Sequence, residues 1–181
     1  MKFLLQTLLT LSVLSAPAFA GWAQDGEATV TFDAKGPAGF KIHGVAQGLN
    51  EQKQPRVTVT DDGTSFKVSV RLEDVDTDNS LRNRHMLEDT QAKEFPLVTL
   101  SVPVGSLKES STEAEAKGTF EIHGQKREVP FKYTAKCQGS TCDIEGSANL
   151  NLSEFGIKIR SYLGITVKPD IAVGAKFKVK K

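Results

Sequence analysis

Long hydrophobic runs are scarce in this sequence: beyond the first twenty residues nothing approaches the roughly 20 continuous apolar residues that a membrane-crossing helix needs. Aromatic residues are few, at 7% with a single tryptophan, and cysteine is rarer still, with two in 181 residues. A disulfide-dense scaffold is therefore excluded. Charge of one sign is also missing. Lys+Arg number 23 against Asp+Glu 22, a formal charge of +1, so nothing draws the whole molecule to nucleic acid or to acidic membranes. Catalytic signatures are absent as well: no Gly-x-Ser-x-Gly, no phosphate-cradling glycine loop and no His-Glu-x-x-His occurs. What is present, 39% hydrophobic and 25% charged residues, is the composition of an ordinary globular chain of one domain and one core.

Residues 1–20 read as a secretory signal peptide and not as part of the fold. Lys2 supplies a positive charge, Phe3 to Leu14 is apolar apart from Gln and hydroxyl residues, and Ala18-Phe19-Ala20 satisfies the small-x-small cleavage rule. Gln6, Thr7, Thr10, Ser12, Ser15 and Pro17 interrupt the run too often for a membrane anchor. The residue directly after Ala20 is Gly21 and not cysteine, so a lipoprotein anchor is not expected. The expectation is export to the periplasm, cleavage after Ala20, and a mature domain over 21–181 whose acidic and basic residues balance.

Export makes the cysteines legible. Cys137 and Cys142, separated by Gln138-Gly139-Ser140-Thr141, would meet an oxidising compartment, and a disulfide across a hairpin turn is expected. Closing so short a loop contributes about 2 kcal/mol in the chain-entropy model. A redox or metal pair is the rival reading, but the spacing is not Cys-x-x-Cys and no second Cys/His cluster accompanies it.

Along the mature chain the dominant period is two. Phe66, Val68, Val70 and Leu72 alternate with Lys67, Ser69, Arg71 and Glu73 over 65–75, after the turn Asp61-Asp62-Gly63-Thr64. Further strands are expected over 28–34, 39–45, 55–60, 96–104, 117–123, 127–137, 142–153 and 170–180. In 127–137 Val129, Phe131, Tyr133, Ala135 and Cys137 share one face, and in 142–153 Cys142, Ile144, Ala148, Leu150 and Leu152 do, which places the cysteines on the same side of adjacent strands. The last strand carries Lys176, Lys178 and Lys180 outward, a row that keeps an exposed face soluble. Eight or nine such strands must hide their apolar faces in a sandwich or a barrel, and the alternation does not choose between them.

Only residues 78–94 resist the strand reading. Asp78, Asn79 or Ser80 can cap a short helix near 80–92 holding Leu81, Arg82, His85, Met86 and Leu87, which ends before Phe95-Pro96. Arg82, Arg84 and His85 place three cationic groups within four residues beside apolar neighbours, a pattern that suits an anionic head group with an apolar tail. The competing reading pairs them with Asp76, Asp78, Glu88 or Asp89 on a solvated surface. The three histidines, His43, His85 and His123, are too dispersed to announce a metal site. Residues 39–44 and 118–124 echo each other as Gly-Phe-Lys-Ile-His-Gly and Gly-Thr-Phe-Glu-Ile-His-Gly, too short a match to establish duplication.

Several stretches in order resemble the YceI-like family of exported bacterial proteins: Asp76-Thr-Asp-Asn-Ser-Leu-Arg-Asn-Arg-His-Met-Leu87 followed by Phe95-Pro96, then Gly118-Thr-Phe-Glu-Ile-His-Gly124, then Phe155-Gly-Ile157 and Leu163-Gly164. The similarity implies an all-β, antiparallel, up-and-down lipocalin-like barrel of about eight strands, a size that can enclose one small ligand. It also implies a non-catalytic periplasmic protein that binds or carries a long isoprenoid lipid, of the quinone or polyprenyl phosphate type. No metal and no cofactor other than such a bound lipid is expected. Partners would be that lipid and a transient membrane or membrane-protein donor, with the protein a monomer or homodimer. Carried onto this sequence, the resemblance assigns Arg82, Arg84 and His85 to the head group. The tunnel would be lined by Phe66, Val68, Val70, Met86, Leu87, Phe120, Ile122, Phe131, Phe155, Ile157, Tyr162 and Leu163. The opening Trp22-Ala-Gln-Asp-Gly-Glu27, the lysine-rich last strand and the cysteine pair depart from the family pattern. The alternative is an interaction or stress-response protein whose barrel is filled by its own side chains. An enzyme acting on a lipid ranks third, because only Arg82 and His85 near Glu88 or Asp89 offer polar groups for it.

Overall fold

Alternation is realised as antiparallel strands in a computed structural model that describes residues 21–36, 40–108, 110–159, 161, 162, 165, 166 and 168–181. The expected signal peptide and Leu163 lie outside the described residues. In chain order the strands are β1 (Ala23–Gln24), β2 (Thr29–Lys35), β3 (Lys41–Gln47), β4 (Val57–Asp61), β5 (Ser65–Arg71), β6 (Leu97–Pro103), β7 (Ser110–Ile122), β8 (Gln125–Gln138), β9 (Thr141–Asn151), β10 (Ser161–Tyr162), β11 (Ile165–Thr166) and β12 (Asp170–Lys180). Among the described residues a single α-helix, α1 (Ser80–Asp89), lies between β5 and β6.

Ten strands share one sheet in the order β3-β2-β12-β9-β8-β7-β6-β5-β4, with β1 added on β12, while β10 and β11 pair as a separate two-residue hairpin. This corrects the expected count of about eight. The surplus comes from strands too short to show a period, such as β1. The up-and-down order holds from β4 to β9; the last strand then inserts between β9 and β2, bringing the two termini of the domain together. The sheet curls until its ends almost meet. At one end β1 bridges the gap: Gln24 pairs with Val179 of β12, its side-chain oxygen accepts from Val59 N at 2.9 Å, and Trp22 N donates to Asp61 at 3.0 Å. At the other end Val45 of β3 pairs with Asp76 through two 2.8 Å backbone hydrogen bonds.

Several boundaries differ from the expected ones: β3 lies two residues later than 39–45, β4 starts at Val57 and not at 55, and α1 ends at Asp89 and not near 92. The strand read over 65–75 stops at Arg71, where Leu72–Asp74 turns as a 3-10 helix, and the one read over 142–153 stops at Asn151 before a similar turn over Leu152–Phe155. In each case an inward leucine keeps the pattern alive after the ladder has ended. Strand β7 begins at Ser110, seven residues before the expected start. Its first half alternates Glu with Ala114 and Ala116, too small a side chain to give a strong signal, and its register on β8 shifts between Ser110 and Ala114. The echoing segments are not a repeat in space: His43 lies inside β3, whereas His123 (φ 52°) and Gly124 (φ 68°) form the two-residue turn from β7 to β8. Both central residues need positive φ in such a turn, which glycine supplies freely.

The charges of the last strand stay outside. Lys176 pairs with Glu145 and Lys178 with Asp143 across the outer face of β12 and β9, so the lysine row is a solvated, paired surface. The inward face carries Phe66, Val102, Phe120, Ile122, Phe131, Tyr133, Leu150, Phe177 and Val179, all buried.

Candidate functional site

The inward side chains do not meet across the barrel. They enclose an apolar cavity of about 760 Å³, within the 300–1,000 Å³ typical of pockets for small organic ligands. A barrel filled by its own side chains would leave no such space. Phe66, Val68 and Val70 of β5 form one wall with Phe120 and Ile122 of β7 and Phe131 of β8. Ile157 joins them from the segment after β9.

The two ends differ in chemistry. At the end crossed by β1, Trp22, Val179, Phe177, Cys137 and Cys142 line the cavity. The two cysteines face each other in the β8–β9 register and form a disulfide, as expected from their spacing. Further along β8, the Tyr133 hydroxyl accepts from Lys108 N at 2.9 Å, tying the β6–β7 connection to the wall. Lys181 Nζ lies over the Trp22 ring, 5.6 Å from its centre. We refer to this as the clamped end.

At the opposite end α1 supplies the rim. Asn79 is its N-cap, its side chain accepting from Arg82 N at 2.9 Å, as Asn does where the first turn has unpaired N–H groups. Leu81, Arg82, His85, Met86 and Asp89 line the cavity, a spacing of one, three, one and three that marks a single helical face. Leu81 is 50% exposed yet on the wall, so the cavity reaches solvent beside the helix. Arg84 and Leu87 are not on the wall; two residues along a helix is a rotation of about 200°, and the same period that turns Arg82 inward turns Arg84 out. The cationic cluster of the sequence is thus divided in space: Arg82 and His85 reach the cavity and Arg84 does not. Phe155 also departs from its assigned place. It is fully buried in the turn after β9 and packs in the core without reaching the cavity wall. Tyr162 falls in β10, and its side chain lies outside what is described.

A polar lattice holds the helix end. Thr77, 2% exposed, donates its hydroxyl to Asn83 Oδ1 at 2.6 Å and its N–H to the same oxygen at 2.9 Å. Arg82 Nε donates to Thr77 Oγ1 at 3.0 Å, and its Nη2 donates to the Thr77 carbonyl. The guanidinium lies 5.9 Å above the ring centre of exposed Phe40. Asn83 also donates to Asp76 at 2.9 Å, and that hydrogen bond, followed by one from Asp78 N, holds the Asp76 carboxyl below the usual carboxylate range. Thr77 and Asn83 escape a sequence reading, since neither residue type announces a structural hub. Of the remaining histidines, His43 hydrogen-bonds Asp33 at 2.9 Å on the surface, and His123 Nδ1 lies 3.1 Å from the Phe155 carbonyl. Among the described residues no group of His, Cys, Asp and Glu is arranged to hold a metal ion.

An antiparallel barrel around an apolar cavity, with Asn79, Arg82, His85 and Asp89 on a helical rim, is a molecule of the lipocalin-like class. More narrowly, this chain belongs to the YceI-like family, whose domain model matches residues 21–179. Its fold is similar to that of a polyisoprenoid binding domain from Saccharophagus degradans, with a TM-score of 0.65 at 9% identity over 88% of this chain and 97% of that one. It is similar also to Burkholderia cenocepacia BcnA, with a TM-score of 0.64 at 17% identity over 83% and 95% of the two chains. A Campylobacter jejuni YCEI protein gives 0.52 at 15% identity over 69% and 80%. No curated protein sequence matches the chain.

Proposed function

We propose that the protein is exported to the periplasm, loses residues 1–20, and there binds and carries one long isoprenoid lipid, a quinone or a polyprenyl phosphate, with its chain in the barrel and its head group at the helix end. The observation that carries this reading is the cavity itself: about 760 Å³ with apolar side chains from Trp22 and Val179 at the clamped end to Met86 and Ile157 at the other. Each methylene moved from water into such a wall contributes about 0.8 kcal/mol. A long chain is therefore retained against water yet exchanges with a membrane interior of similar polarity, and no covalent step is needed. Arg82, held by Thr77 and lining the cavity, is placed to meet a phosphate or a quinone oxygen. The family membership and the fold shared with a polyisoprenoid binding domain support the same ligand class.

Trp22 is the chain's only tryptophan and sits on the cavity wall, so it reports arrival of a quenching ligand. Titration with an isoprenoid quinone is expected to quench its fluorescence saturably at one equivalent. Linear, unsaturable quenching equal to that of free tryptophan would contradict the reading.

A further inference from the structure

Three glycines on the inward faces are not alike. At Gly118 a Cβ would stand 2.5 Å from Leu100 Cδ1, and at Gly44 it would run into the Phe32 ring. Each of these lets a large side chain lie flat against the backbone. Gly146, in the middle of β9, has no such neighbour. A Cβ there would meet the Lys132 carbonyl oxygen at 3.6 Å and Tyr133 Cβ at 3.9 Å, ordinary van der Waals distances. Its φ is not positive. Glycine weakens a strand interior relative to alanine, and neither backbone conformation nor packing asks for it here. What its missing side chain leaves is volume. Gly146 lines the cavity between Ile144 and Ala148 and pairs with Ala175 of β12, so three small residues adjoin on the mid-barrel wall of β9 and β12, bordered by Ile144 and Val173.

We propose that Gly146, flanked by Ala148 and Ala175, is a specificity-determining recess that sets the length and girth of the chain the barrel accepts. The inference rests on the isoprenoid-binding reading. Strands β5 and β6, far from β9 in the sheet order, carry bulkier side chains, so the free cross-section lies against the small-residue wall. A methyl-branched chain passes mid-barrel only through that recess; a short chain stops before it.

Native mass-spectrometric titrations with two ubiquinone analogues, one with a single isoprene unit and one with a long polyisoprenyl chain, test this. Gly146→Leu should weaken the long-chain analogue by about tenfold or more, the scale on which one surplus group is rejected by a fitted apolar pocket, and leave the short one within about twofold. Ala148→Phe should act in the same direction, and thermal melts confirm that each variant is folded. Unchanged long-chain affinity in either folded variant overturns the inference while leaving binding intact. A wild-type protein that binds neither analogue overturns the isoprenoid-binding reading beneath it.

Discussion

The two ends of the barrel are held by different forces. The clamped end is secured covalently and by backbone: a disulfide between β8 and β9 and a two-residue strand that pairs with β12 while capping β4. The helix end has a single backbone bridge, Val45–Asp76, and is otherwise secured by hydrogen bonds of the Thr77, Asn79, Arg82 and Asn83 side chains, with Phe155 buried in the turn after β9. The contrast teaches where exchange can occur. The cavity reaches solvent beside exposed Leu81, so on the proposed reading the ligand enters at the helix end with its tail toward the clamped end.

Several perturbations break or sharpen that contrast. The largest effect is expected at Phe155, whose side chain is fully buried beneath the helix end. Phe155→Ala should cost about 3–5 kcal/mol in denaturant unfolding; a loss below about 1 kcal/mol would mean that the turn after β9 is not what anchors that end. Removing the disulfide with paired Cys137→Ala and Cys142→Ala changes should cost about 2 kcal/mol and increase amide exchange around 137–142 without altering exchange in α1. Asn79→Ala should cost about 1 kcal/mol with the opposite pattern, faster exchange in 80–89 and none at the disulfide. The smallest effect is the response to acid. Asp62, in the turn before β5, is held far below the usual carboxylate range first by the Thr64 hydroxyl and then by Ser65 N–H; Asp76 is lowered by Asn83 and then Asp78 N–H. A carboxyl depressed in the folded state stabilises above its unfolded pKa of about 3.9 and loses that contribution as pH falls through the folded value. The melting temperature should therefore decline as pH drops below about 4, and Asp62→Asn and Asp76→Asn should each remove the part belonging to its own end.

The walls were legible in the sequence because period two survives in long strands: Phe66, Val68 and Val70, the inward row of β8 and the facing cysteines all stand where alternation places them. The ends were not. Arg82, Arg84 and His85 form a cluster when read along the chain, and only the helical period separates Arg84 from the other two. Phe155 and Ile157 share a strand-like spacing, but a 3-10 turn sends the first into the core and the second onto the wall. Gly44, Gly118 and Gly146 carry no hydrophobic signal, although a Cβ would be accommodated at the third and would collide at the other two. Closure by β1 and by the Val45–Asp76 bridge depends on hydrogen bonds between segments far apart in the chain, and no local pattern announces it.

The most direct test of the account is native mass spectrometry on protein purified from the periplasm without detergent, followed by solvent extraction of whatever it holds. The account predicts one isoprenoid lipid per chain, lost on denaturation. A bare mass, in a protein that also takes up neither added quinone nor polyprenol, would contradict it.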